Sequence, residues 1–184
     1  MAHSSEEHPS RRSEAAWHTA LLFLIAGAIV WLGGVHIRAI LGGDLLKFGT
    51  LEFEDYLSAD VEREIFRLIS FSSILVTAGY LVVLISSIAF LFLSPFRLRE
   101  HGWLMMSAIL FYLFVPVEAF VMVIDAKMIY NEFFTTVDNS VFRELFVARV
   151  GALAGAPLIA MLCYYTIIVL AVFQPLRKKP IETA

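Results

Sequence analysis

Glu118 is the residue whose type and position most invite chemistry. It stands inside the apolar run Val115-Pro116-Val117-Glu118-Ala119-Phe120, and Asp125, seven positions on, shares its helix face. If Asp125 marks a membrane boundary, Glu118 lies ~10 Å below it at the helical rise. Ionisable groups at such depth are costly and turn toward a bundle interior or a water-filled cavity. Glu118 therefore reads as a proton or ion site with Asp125 at its mouth. Two structural readings stand beside that one. Glu118 could be a protonated acid held by Ser72, Ser73, Thr77 or Tyr80, or the partner of Arg149 or Arg38 reaching downward. Pro116, which lacks a backbone donor, loosens the helix next to it. At the same depth on the following hydrophobic segment lies Gly151-Ala152-Leu153-Ala154-Gly155-Ala156-Pro157. Gly151 and Gly155 form a G-x-x-x-G pair expected to pack helices closely, so Glu118 should face either a tight helix contact or a small polar cavity.

His36, Arg38, Arg67, Lys127 and Arg149 join Asp125 in an expected outer charged rim. Such a ring suits an anion or a quinone head group, although its commoner use is the membrane–water interface, with basic side chains snorkelling outward. His18 and His101 fall on one side of the membrane and on different helices, which makes a bis-histidine haem b site the one cofactor alternative. Both sit at extreme helix ends, too exposed for a buried macrocycle, so no cofactor and no metal is the primary expectation. H-E-x-x-H, G-x-S-x-G and a Gly-rich phosphate loop are all missing from the sequence. Cys163, the single cysteine, lies in mid-helix among Leu and Tyr, where burial keeps a thiol inert. The chain does not read as an enzyme.

The elements that must position these residues follow from composition. Of 184 residues, 59% are hydrophobic and only 17% charged, whereas soluble domains average about 45–50% and 25%. That excess excludes disorder, and a net charge of −3 argues against a nucleic-acid binder. The expected fold is all-α: a polytopic four-helix transmembrane bundle over 15–176, with spans at about 17–37, 65–93, 103–126 and 145–173. An outer loop at 42–60 mixes Leu45, Phe48, Phe53 and Tyr56 with acids, after Gly42-Gly43 and before the capping residues Ser58 and Asp60. Ser94-Pro95 and Gln174-Pro175 stop the second and fourth helices.

A polar tail at 1–14 and a basic tail at 177–184 complete the chain. Arg11, Arg12, Arg97, Arg99, Arg177, Lys178 and Lys179 lie on one side, against Lys47 alone in the opposite loops, so both tails are expected in the cytoplasm. E-x-x-W recurs at Glu14 and Glu100, and R-E-(I/L)-F at Arg63 and Arg143, the pattern that two parallel two-helix repeats would leave. The leading functional expectation is a non-catalytic integral subunit of a larger membrane assembly, in lipid contact and meeting other membrane subunits or itself. A small proton- or ion-coupled transporter or channel using Glu118 is the alternative, and a haem b electron-transfer subunit the second. A bacterial inner membrane is the expected location.

Overall fold

The computed structural model describes residues 11–135 and 137–175, which leaves most of the expected 1–14 tail and the whole 177–184 tail outside the described residues. Six α-helices, α1 (Arg11–Gly43), α2 (Ala59–Leu93), α3 (Gly102–Leu113), α4 (Val115–Phe134), α5 (Asn139–Val150) and α6 (Ala156–Phe173), form four long apolar rods. α1 and α2 are continuous; α3 with α4, and α5 with α6, make the third and fourth rods, each broken within its length. The rods cover Glu14–Gly43, Ala59–Leu93, Gly102–Phe134 and Asn139–Phe173, each long and apolar enough to cross a membrane. The protein is thus an all-α, four-helix, multi-pass membrane protein. Rods of 30–35 residues run about 45–50 Å, so they tilt or protrude beyond a ~30 Å hydrocarbon layer.

All four rods extend past their expected loop-side ends at 37, 65, 126 and 145. Hydropathy fades there, yet the helical backbone continues because the polar side chains find partners. Arg143 grips buried Glu62 with Nε and Nη2, both at 2.6 Å, and Arg63 meets Glu132 at 3.1 Å. The two R-E-(I/L)-F segments consequently face each other: Phe66 meets Phe146 edge-on, and beside them the Arg63 guanidinium lies over the Phe142 ring, on which Phe66 stacks. Between α1 and α2 the loop folds into a tight turn. Lys47 donates its N–H to Glu52, Leu46 bridges to Phe53, and Gly49 supplies a φ of +77°. Ser58 caps α2, its Oγ accepting from the Val61 N–H.

Burial follows a heptad-like stripe on α2, through Glu62, Phe66, Ile69, Ser73, Val76, Tyr80 and Val83. On α1 the matching face carries Trp31 and Arg38, and Leu45 follows just past the helix end, at seven-residue steps, all buried. The interior is layered in consequence. Ala20, Phe90 and Leu104 fill the end away from the loop; Trp31, Tyr80, Phe111 and Tyr164 fill the middle; Leu45, Phe66, Phe142 and Phe146 fill the loop end. The outward faces present Phe23, Ile29, Ile85, Phe92 and Val172, apolar side chains in register with lipid.

Close packing depends on glycines of α1 and α2. A Cβ on Gly79 would lie 2.9 Å from the Trp31 backbone nitrogen and 3.1 Å from its Cα, atoms that cannot rotate away. Gly79→Ala is expected to lower stability by about 1–3 kcal/mol through overpacking. Gly33→Ala, where a Cβ meets nothing within 4 Å, should leave unfolding in detergent unchanged.

Candidate functional site

Between the middle and loop-end layers sits a charged one. Arg38 donates from one guanidinium nitrogen to Asp125 Oδ2 at 2.7 Å and to Ser73 Oγ at 3.0 Å. Arg149 donates Nε to Asp125 Oδ1 at 2.6 Å, and the Ser73 hydroxyl reaches the same oxygen at 3.5 Å. The Arg38 and Asp125 side chains are 5% and 2% exposed, so this is an interior cluster rather than part of a surface rim. Seven-residue spacing from Trp31 puts Arg38 on the buried stripe of α1, and Asp125 occupies the buried face of α4. Two guanidiniums share one carboxylate, which leaves one positive charge in excess where desolvation is costly.

About two helical turns deeper, Glu118 lies in the first turn of α4. Pro116 accounts for the break before it: Phe114 takes φ −95° and ψ 0°, and the helix restarts at Val115. Glu118 Oε1 accepts from the Tyr164 hydroxyl at 3.1 Å. None of Ser72, Ser73, Thr77 and Tyr80 holds it, and Arg38 and Arg149 both bind Asp125 instead. Tyr164 escaped the sequence reading because it sits in an uninterrupted apolar run beside a second tyrosine. Its hydroxyl inside a span was the available signal.

The G-x-x-x-G pair does not pack helices. A Cβ at Gly155 would meet nothing within 4 Å, and at Gly151 its nearest neighbour is the Val147 carbonyl of its own chain segment. The segment instead breaks the fourth rod. Leu153, Ala154 and Gly155 take φ of +49°, +54° and +86° in succession before α6 begins with Pro157 in its first turn. Proline has no N–H for the preceding turn and clashes with its carbonyl, so a continuous helix through this point is disfavoured.

A cavity of about 450 Å³ lies against the break. It runs from Trp31, Tyr164 and Glu118, past Arg38 and Arg149, to the loop residues Lys47–Thr50. Val35, Val121, Leu158 and Met161 supply apolar wall. Trp31 Nε1 and Arg38 Nε are buried on cavity-lining residues without a hydrogen-bond partner. At the loop end, the Lys47 ammonium is held above the usual lysine range, chiefly by its hydrogen bond to Asp55.

The other candidates lie elsewhere. His36 is exposed, its Nδ1 against the Leu32 carbonyl and its Nε2 against the Tyr165 hydroxyl. Arg67 is exposed and near Glu64, while Lys127 lines a shallow groove with Tyr130, Asn131 and Glu144. His18 stacks on Trp17, and His101 sits at the start of α3 against Phe96. Each directs Nδ1 to a carbonyl four residues back. Among the described residues no group of three or more His, Cys, Asp or Glu is placed to hold a metal ion.

Fold and site together define a class: a four-rod membrane protein with a buried Arg–Asp–Arg layer and a cavity that reaches a deep glutamate. Comparison with protein families, curated proteins and solved structures finds no match to this chain.

Proposed function

We propose that the protein is a small, non-catalytic solute carrier or channel, coupled to protons or ions through Glu118. The observation that carries this reading is the cavity, which places the deep carboxyl group and two arginines along one path to the loop face. Interrupted helices at membrane depth support it, because irregular backbone there is tolerated where it lines a cavity or is buried in protein. The distribution of Lys and Arg favours cytoplasmic termini and an external loop face, and the short loops favour a bacterial inner membrane.

Proteoliposomes carrying an internal pH indicator test the reading. Wild-type protein is expected to conduct protons down an imposed gradient. Glu118→Gln, which imitates the protonated acid, should fall to the rate of empty liposomes while eluting from size exclusion as the wild type does. Equal flux from both would overturn the role of Glu118.

A second reading, an accessory subunit of a larger assembly, is favoured by the loop itself. Phe48, Leu51 and Tyr56 are exposed there beside Glu52 and Asp55, a surface suited to a partner protein. Native mass in a mild detergent checks it: other polypeptides in stoichiometric amount would support it, and a lone monomer or homodimer would count against it.

A further inference from the structure

The charges around the cavity balance only while Glu118 is ionised, and that condition specifies a ligand. Both oxygens of Asp125 are occupied, Oδ2 by Arg38 and Oδ1 by Arg149 and Ser73. Lys47 is engaged by Asp55. The one remaining charged group on the wall is Glu118. Donors also outnumber acceptors. Arg38, 6% exposed, keeps its Nε without a partner, and so does Trp31 its buried Nε1. α6 begins at the cavity with Pro157 and Leu158 in its wall, so its positive dipole end adds to the same field. Its N-cap, Gly155, has no side chain to satisfy that end.

We propose that the cavity binds an organic monoanion, a carboxylate with an apolar body, and that one proton binds Glu118 with it. This rests on the carrier reading above. The ligand carboxylate accepts from the Arg38 and Arg149 layer, while its body lies against Val35, Val121, Leu158 and Met161. One surplus positive charge matches one negative charge, which favours a monoanion over a dianion. In the empty cavity the Glu118 carboxylate balances the cluster. When the anion arrives, Glu118 takes a proton from solvent and becomes a carboxylic acid. The total charge of the site is then unchanged, and anion and proton enter one for one. The groups facing Glu118 are Tyr164 from α6, Tyr80 from α2, Arg38 from α1, Arg149 from α5 and Asp125 from α4. The volume of about 450 Å³ falls among ordinary small-molecule sites.

Titration calorimetry on the full chain in mild detergent tests the proposal, with benzoate and hexanoate as probes and benzamide as the neutral isostere. Saturable binding of a carboxylate is expected, with benzamide at least tenfold weaker. Affinity should fall about tenfold per pH unit as pH rises through the range where Glu118 titrates, the slope of one proton per ligand. Glu118→Gln should still bind and lose that slope. Arg149→Gln should weaken binding at least tenfold, with Arg149→Lys recovering part of it. The Glu118→Gln slope decides the matter even where Arg149→Gln fails to fold. No carboxylate binding by monodisperse wild type, benzamide binding as tightly, or an unchanged slope in Glu118→Gln would each overturn the proposal. Glu118-dependent proton flux without carboxylate binding would remove the anion site and leave the carrier reading. Binding with the Glu118-dependent slope but without proton flux, even with benzoate present, would keep the site and remove transport.

Discussion

Asp125→Asn is expected to destabilise the protein by about 3–5 kcal/mol, the loss that follows when one partner of a buried ion cluster is removed. Asparagine keeps the shape but not the charge. Its carboxamide oxygen can accept from one arginine, while its NH₂ group presents donors to the other. Arg38 is the more deeply buried of the two, 5% exposed, whereas Arg149 at 19% can turn outward. The cost therefore concentrates on Arg38. It follows that adding Arg38→Met to Asp125→Asn should recover part of the loss, because the second change removes the stranded charge and fills its space with an apolar chain. Chemical unfolding in detergent, followed by tryptophan fluorescence, measures both. A single variant within about 1 kcal/mol of wild type would show that water or lipid head groups reach the cluster and that it is not an interior feature.

Some of this site was legible in the sequence. A carboxylate deep in a span, and a second one seven residues on, can be read from spacing alone, and both residues line one side of α4. The inward turn of Arg38 could not be read. A guanidinium near the end of an apolar stretch has the same local sequence whether it snorkels to the interface or faces the core. Ser73 on α2 and Asp125 on α4 decide it, 35 and 87 residues away along the chain. The glycines show the same limit. G-x-x-x-G names a spacing on one helix but not what lies opposite, and what stops the helix is Pro157, two residues past Gly155. Gly79, which does set an interhelical approach, has no such signature. It is recognised only once Trp31 is placed against it. Fold class, by contrast, was set by composition, since four apolar rods of this length have few other ways to bury themselves.

The break in the fourth rod also gives the cavity its position. A straight helix through Leu153–Ala156 would carry its backbone hydrogen bonds internally and present side chains alone. With three consecutive positive φ values, the chain leaves helical geometry between Val150 and Pro157, cavity-lining residues on either side. Leu153 and Ala154 take this conformation without being glycine, a backbone cost that only the surrounding structure can sustain.

Phe66→Ala should be as damaging as the loss of Asp125, at about 3–5 kcal/mol, but for a different physical reason. Phe66 is fully buried. Its ring stacks on Phe142 with centroids 5.5 Å apart and meets Phe53 and Phe146 edge-on at 6.3 Å. The side chain thus ties α2 to α5 and to the loop at once. Its place in the bundle matters. Inside a bilayer, apolar burial between helices gains little, because lipid tails are as apolar as the side chains they replace. The Phe66 cluster is instead roofed by loop residues Leu45, Leu46, Phe53 and Leu57, so its alternative environment is water and the full hydrophobic contribution applies. Phe92, 85% exposed on the lipid-facing surface, is the matched control. Phe92→Ala should unfold in detergent at the wild-type midpoint, while Phe66→Ala unfolds early. Because Phe146 belongs to both the cluster and the cavity wall, Phe66→Ala should also loosen the loop end of the cavity, seen as faster amide exchange across Lys47–Thr50. Equal midpoints for the two alanine variants would mean that detergent fills the space left by Phe66, and would place this end of the bundle within the hydrocarbon layer instead of at its aqueous edge.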